Sequence, residues 1–252
     1  MVNYFSGLSR HVLQQLLPRY CLLCDRHSLR DHDICSLCES DLPSHPENNC
    51  RQCALPLEGG CDCESVMLCG HCLTKPPLFS HGIAGWPYQF PVAELITQFK
   101  HHQQLSYGLS LAKLMRSTLD AYYLDQPLPD IVTAAPLHWR REWQRGYNQS
   151  QLIAKVWAKH LRLPLQPLLK RGRHTPAQQG LNAKQRQANL KAAFHVIKPE
   201  LLVGKTIALV DDVVTTMASC NEMSRCLLAA GAKDVHVWCL ARTAEHRQKN
   251  SR

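Results

Sequence analysis

Thr206-Ile207-Ala208-Leu209-Val210-Asp211-Asp212-Val213-Val214-Thr215-Thr216-Met217-Ala218-Ser219 decides how this chain is read. A short apolar run over residues 206 to 211 suits a buried strand, and the pattern after Ala218 is helical. Between them lie two adjacent carboxylates and a hydroxyl-rich turn. At the carboxyl end of a strand, paired aspartates can face the hydroxyls of a ribose and a divalent cation. The turn then offers backbone N–H groups, hydroxyls of Thr215, Thr216 and Ser219, and a helix N-terminus to a phosphate.

Outward from this segment the same alternation continues. Residues 235 to 241 read as a strand, and a helix runs from about Ala218 to Ala230, ending at Gly231. Upstream, Ile131 to Pro136 is a short apolar run, and Asn148 is placed to cap a helix through about Leu161 with Leu152, Val156 and Ala158 inside. Gly82 to Gln89 reads as a strand or hairpin. Two helical patterns follow it, one with Val92, Leu95, Ile96 and Phe99 on a single face, the other with Leu109, Ala112, Leu114, Met115, Leu119 and Tyr122. Strands alternating with helices predict an α/β domain with a mostly parallel sheet and a ligand site beyond the strands' carboxyl ends.

Cysteine is concentrated at the front: of 13 cysteines, 10 lie between Cys21 and Cys72. Cys21 and Cys24 form one Cys-x2-Cys knuckle and Cys35 and Cys38 the next; Cys50 with Cys53 and Cys69 with Cys72 repeat the arrangement. Four thiolates from paired knuckles suit one tetrahedral zinc, so about two structural zinc ions are expected. Cys61, Cys63, His27, His32, His45 and His71 are possible substitutes within these sets, the histidines being expected at the surface. The module has too few large apolar residues for its own core, so metal supplies much of its folding energy. Loss of Cys21 or Cys50 is expected to unfold it and leave the rest standing.

Charge is divided as unevenly. Residues 1 to 80 carry 6 Lys+Arg and 9 Asp+Glu, the remainder 23 and 11, and residues 139 to 191 alone hold 12 basic residues against Glu142. Such a segment is a solvated face, a polyphosphate site or a nucleic-acid track. Trp139 and Tyr147, set among Arg140, Arg141 and Arg145, either stack bases or serve as core or edge rings, and the second is expected. Arg10, His11, Gln14 and Gln15 interrupt any apolar run near the N-terminus. No signal peptide or membrane span is therefore legible, and a cytoplasmic protein is expected.

The Asp211 to Ser219 stretch resembles the phosphoribosyl pyrophosphate (PRPP) signature of type I phosphoribosyltransferases. Ala135-Pro136-Leu137-His138, then Arg145-Gly146-Tyr147-Asn148-Gln149, resemble further stretches of that family. Arg171 to Phe194, with Thr175, Pro176, Gln178, Leu181, Arg186 and Asn189, is similar to its mobile hood. With the cysteine module in front, the layout is that of the ComF/GntX family. The resemblance implies a zinc-ribbon module with an N-terminal helix over residues 1–76 and a phosphoribosyltransferase-like domain over 77–252. It implies PRPP and Mg²⁺ binding by Asp211, Asp212, Val213, Val214, Thr215, Thr216, Met217, Ala218 and Ser219. Ala135, Pro136, Leu137, Arg145 and Arg186 would contact pyrophosphate or nucleic acid. Met217 stands where family members usually carry Gly. Two activities remain open: transfer of ribose 5-phosphate to an acceptor, or a catalytically impaired accessory that binds single-stranded DNA. DNA-uptake machinery is an implied partner, and no residue is assigned a catalytic role.

Overall fold

The computed structural model describes residues 19–43, 49–57, 67–101, 104–172 and 193–243. The expected N-terminal helix, His45, Cys61, Cys63 and Arg186 with most of the hood lie outside these residues.

The centre is a four-stranded sheet in the order β1-β6-β5-β2, formed by β1 (His81–Pro87), β2 (Ile131–Ala134), β5 (Thr206–Val214) and β6 (Asp234–Arg242). All three pairings are parallel. The carboxyl ends of the strands therefore open on one side, as the βα alternation requires. Two strands outrun their apolar runs: β5 continues through Asp211 and Asp212 to Val214, and β6 spans 234 to 242. Ladder bonds to β6 carry the carboxylates into the strand, which sequence periodicity had ended at residue 211. β1 pairs with β6 in parallel, so it is a strand of the main sheet and not half of a hairpin.

Pleating sends alternate residues of the central strands to opposite faces. Ile207 and Leu209 of β5 enter one core with Val235, Val237 and Cys239 of β6, while Ala208 and Val210 enter the other with Trp238 and Leu240. Beyond two short helices of the cysteine module, α1 (Ser36–Ser40) and α2 (Gly70–Thr74), helix α8 (Ala218–Ala229) covers the first face. The second is covered by α3 (Val92–His101), α4 (Leu105–Leu114), α5 (Arg116–Tyr122) and α7 (Gln149–Leu161). The helical pattern through Tyr122 is thus two helices, broken at Met115. Asn148 caps α7, its side chain accepting from the Gln151 N–H at 3.3 Å. The buried stripe of that helix is Ile153, Ala154, Trp157 and Ala158, with Leu152 and Val156 only half-buried. Trp157 donates from its ring N–H to the Ala112 carbonyl at 2.8 Å.

A small antiparallel pair, β3 (Leu169–Arg171) and β4 (Phe194–Val196), was not legible in the sequence. At three residues each, with Lys170 and His195 exposed, these strands are too short for alternation to mark them.

The cysteine module divides its apolar residues between both faces. Ile34 and Leu42 of the first ribbon join the core beside α3 to α5, and the Asp33 N–H donates to Ser110 Oγ at 2.9 Å. Arg116 pairs with Asp31 at 2.7 Å. In the second ribbon, Cys50, Cys53, Cys69 and Cys72 all lie within the core that contains Phe79, Leu209 and Met223. Gly82 of β1 has no side chain because the Cys53 backbone occupies that space: a Cβ would stand 3.0 Å from its carbonyl carbon. A core shared with the sheet is thus what compensates for the module's few large apolar residues.

Candidate functional site

An open cleft of about 350 Å³ lies at the carboxyl edge of the sheet. Its lining comes from the ends of three strands: Tyr88 after β1, Ala135, Pro136 and Leu137 after β2, and Asp211 to Thr215 at the end of β5. Thr216, Met217, Ala218, Ser219 and Cys220 continue that wall into α8, so all nine residues expected to bind PRPP line one cavity. Arg141 and Arg145 close another side, from α6 (Trp139–Arg145), a short helix hidden from pattern analysis by having no buried residue.

The two aspartates are held differently. Asp211 Oδ1 accepts from Ser150 Oγ at 3.1 Å and from the Asp212 N–H at 2.9 Å. Asp212 Oδ1 accepts from the Val213 N–H at 2.6 Å and pairs with Lys100 Nζ at 3.0 Å. Burial, and then the neighbouring Asp212 charge, push the Asp211 carboxyl up to about 7. Lys100 and Ser150 act in the opposite sense without offsetting this. Two carboxylates so arranged, one of them poorly ionised, form a site that a cation would complete. Neither Lys100 nor Ser150 was singled out in the sequence, since both become part of the site only when α3 and α7 pack on β5.

The turn after β5 has the shape of an anion cradle. Met217 sits at φ 60° and ψ −3°, in the left-handed region that a glycine takes freely, with only 3% of its surface exposed. No side chain caps the start of α8, which leaves its first-turn N–H groups available to an anion.

The loop after β2 is fixed by Asn148, whose amide donates to the Ala135 carbonyl at 3.0 Å while its oxygen caps α7. His138 is buried and caps α6. Arg145 donates to Gln149 at 3.1 Å while lining the cleft. The two rings expected at the core or its edge part company. Tyr147 is half-buried, stacks obliquely on Phe99 and donates its hydroxyl proton to the Phe99 carbonyl. Trp139, by contrast, is 63% exposed, with Arg140 over its ring at 5.2 Å, and Trp143 is 83% exposed. The expectation for Trp139 is corrected: α6 buries no residue, so its tryptophans stay at the surface while Arg141 and Arg145 face the cleft.

Arg242, at the end of β6, is a site-supporting residue the sequence did not disclose. The residue is 1% exposed, and its guanidinium donates to the carbonyls of Cys53 (3.1 Å), Val214 (3.2 Å) and Thr243 (2.9 Å), and to that of Thr215. No carboxylate pairs with it among the described residues. It thus ties the carbonyls of the candidate phosphate turn to the second ribbon, and its charge favours an ionised Cys53.

Both cysteine sets meet the demands of zinc. Within each, the four sulfurs lie inside 4.8 Å of one another, and Cys24–Cys35 and Cys53–Cys69 are each 3.7 Å apart. Sulfurs about 2.3 Å from one tetrahedral ion are separated by about 3.8 Å, far from the roughly 2.0 Å of a disulfide. Without a cation the thiolates oppose one another: Cys53 is pushed far up, first by its hydrogen bond with Cys50 and then by burial. His32 is not a ligand of either set, and it is buried where a surface position was expected. Burial, and then the neighbouring Arg30 charge, lower its basicity.

The chain is similar to several known proteins. Residues 12–73 match the double zinc ribbon domain family. Competence protein F of Haemophilus influenzae is 34% identical over 227 residues, covering 88% of this chain and 96% of that protein. DNA utilization protein YhgH of Escherichia coli is 34% identical over 233 residues, covering 90% and 98%. Among solved structures, an adenine phosphoribosyltransferase aligns over 57% of this chain and 81% of its own, with 14% identity and a TM-score of 0.36. No helix among the described residues is long and apolar enough to cross a membrane.

Proposed function

The chain belongs to the ComF/GntX family, and on that premise we propose that it binds PRPP with Mg²⁺ in the carboxyl-edge cleft and acts in the uptake or use of external DNA. The observation that carries this reading is the turn at Met217. A methionine there holds the left-handed backbone that a glycine would take, which supports reading the loop as a phosphate cradle. Asp211 and Asp212 would meet the ribose hydroxyls and share the cation, Thr215 to Ser219 would bind the 5′-phosphate, and Arg141, Arg145 and the Ala135–Leu137 loop would face the pyrophosphate. Arg186 belongs to the same proposal by sequence alone. Two structural zinc ions hold the ribbons, and the division at residue 76 separates their module from the cleft-bearing domain.

Calorimetric titration with PRPP and Mg²⁺ tests the reading. Saturable, Mg²⁺-dependent binding that is lost in Asp212→Asn and weakened in Ser219→Ala is expected. Absence of heat with both ligands present would overturn it.

A second reading is favoured by α6. Two exposed tryptophans on a helix with Arg140, Arg141 and Arg145 make a stacking and phosphate-contact surface for single-stranded DNA, each stacked base contributing about 1–3 kcal/mol. It is compatible with PRPP binding next door and supplies a link to the DNA-handling names of the relatives and to uptake machinery. DNA affinity should fall steeply with salt, and replacing the three arginines should lower both affinity and salt slope. Unchanged binding in that variant, or in the Trp139→Ala, Trp143→Ala pair, would remove α6 as the track.

A further inference from the structure

The amino edge of the sheet, opposite the cleft, carries a cluster that none of the above uses. His81 opens β1, Asp234 opens β6, and His236 follows two residues later, facing His81 directly in the β1–β6 register. One potential ligand atom from each of the three lies within 4.8 Å of the other two.

The hydrogen bonds around the cluster are those of a prepared ligand set. His81 Nδ1 is 2.8 Å from Ser80 Oγ, and Ser80 Oγ in turn donates to Asp234 Oδ2 at 2.6 Å. His236 Nδ1 is 2.7 Å from the Tyr123 hydroxyl, which also accepts from the Trp238 ring N–H at 3.0 Å. Each imidazole is therefore held at Nδ1 by a hydroxyl, and His236 turns its Nε2 toward Asp234. This is how ligand histidines are oriented by an outer shell. The gap between His236 Nε2 and Asp234 Oδ2 is 3.4 Å, long for a hydrogen bond. It matches the separation of about 3.3 Å expected for two ligands each about 2.0–2.1 Å from one tetrahedral ion.

Access and charge agree. His236 is buried at 6% exposure, whereas the Asp234 side chain is 32% exposed and His81 is intermediate, so the cluster has a closed floor and an open side. Arg51 of the second ribbon is the opposing cation in the neighbourhood, and Asp234 answers it.

We propose that His81, Asp234 and His236 form a third metal site, distinct from the two cysteine centres, that takes a zinc-class divalent transition metal with its fourth position open to solvent. Two imidazoles and one carboxylate suit zinc or cobalt rather than magnesium, which prefers all-oxygen coordination. The ion pins the first strand of the sheet to the last at the end remote from the cleft, so binding also stabilises the fold by mass action.

The test uses the full chain with both cysteine centres loaded with zinc, titrated with Co²⁺ alone. One further equivalent is expected, raising the melting temperature and giving a visible d–d spectrum without the thiolate charge-transfer bands of a cysteine centre. His81→Ala and Asp234→Asn should each abolish that equivalent and its thermal shift while retaining two zinc ions. Asp212→Asn, at the carboxyl edge, should leave it intact. No further equivalent, an equivalent that survives His81→Ala and Asp234→Asn, or one lost in Asp212→Asn would overturn the proposal. His81→Ala alters a partly exposed ring, so the experiment stands even if His236 variants fail to fold.

Discussion

Replacing Met217 by glycine and by alanine separates two opposed effects at the candidate phosphate turn. Met217 is 3% exposed and belongs to the core with Cys220 and Met223, so truncation to alanine removes a buried side chain, at about 2–5 kcal/mol. Its φ of 60° is retained in Met217→Ala, along with the roughly 1–2 kcal/mol that a Cβ costs there. Met217→Gly loses the same burial but escapes that cost. The glycine variant should therefore be destabilised by a net of about 1–4 kcal/mol, yet stand about 1 kcal/mol above the alanine variant. At an ordinary negative-φ position glycine would instead be worse than alanine by about 0.5–1 kcal/mol. Urea unfolding of the zinc-loaded proteins measures the difference, and calorimetry on the same samples measures PRPP affinity. Alanine more stable than glycine would refute the left-handed turn. Equal PRPP affinity in wild type, Met217→Gly and a Ser219→Ala control would refute its role in phosphate binding.

Four further outcomes are expected. PRPP–Mg²⁺ affinity should rise between about pH 6 and 8, because the Asp211 carboxyl ionises only near pH 7, chiefly through burial. With its pKa raised, Asp211 contributes stability below the ordinary carboxylate range that is lost as pH rises through about 7; Asp211→Asn should thus gain stability over wild type at pH 8 and none at pH 3, by thermal melts at both pH values. Arg242→Met removes the charged donor to the Cys53 and Thr215 carbonyls, so a loss of about 2–4 kcal/mol and faster zinc release to a colorimetric chelator are expected, wild-type zinc retention being the contrary result. Contrary to the expectation from sequence that losing Cys50 leaves the rest standing, the second set shares the sheet core, so Cys53→Ser should lower the melting temperature of the whole protein, whereas Cys24→Ser should chiefly loosen the first ribbon; equal effects by scanning calorimetry would contradict that division.

Local sequence carried the site where the site is local. The run from Thr206 to Ser219 spells strand, carboxylates, turn and helix in order, and the cleft is built around it. The Cys-x2-Cys spacing likewise determines both ligand sets. What escaped was whatever depends on elements meeting across the fold. Lys100 reaches Asp212 from α3, Ser150 reaches Asp211 from α7, and Arg242 reaches Cys53 across 189 residues. Trp139 was misjudged for a related reason: aromatic character argues for burial, but α6 has no apolar face to bury.

Arg242 and Gly82 also set an order of events. The second ribbon precedes every strand of the sheet in the sequence, but its docking surface needs β6, whose residues 234 to 242 form the last strand described. β1, made before every other strand of the sheet, can pair only with that same β6. A nascent chain must therefore hold the second ribbon and an unpaired β1 until β6 has been synthesised, which makes folding a closure of earlier segments onto a later one, slow by contact order and helped by metal loading before β6 appears. Chains released before β6 would keep the second ribbon's cysteines and lose the Arg242 surface on which it rests.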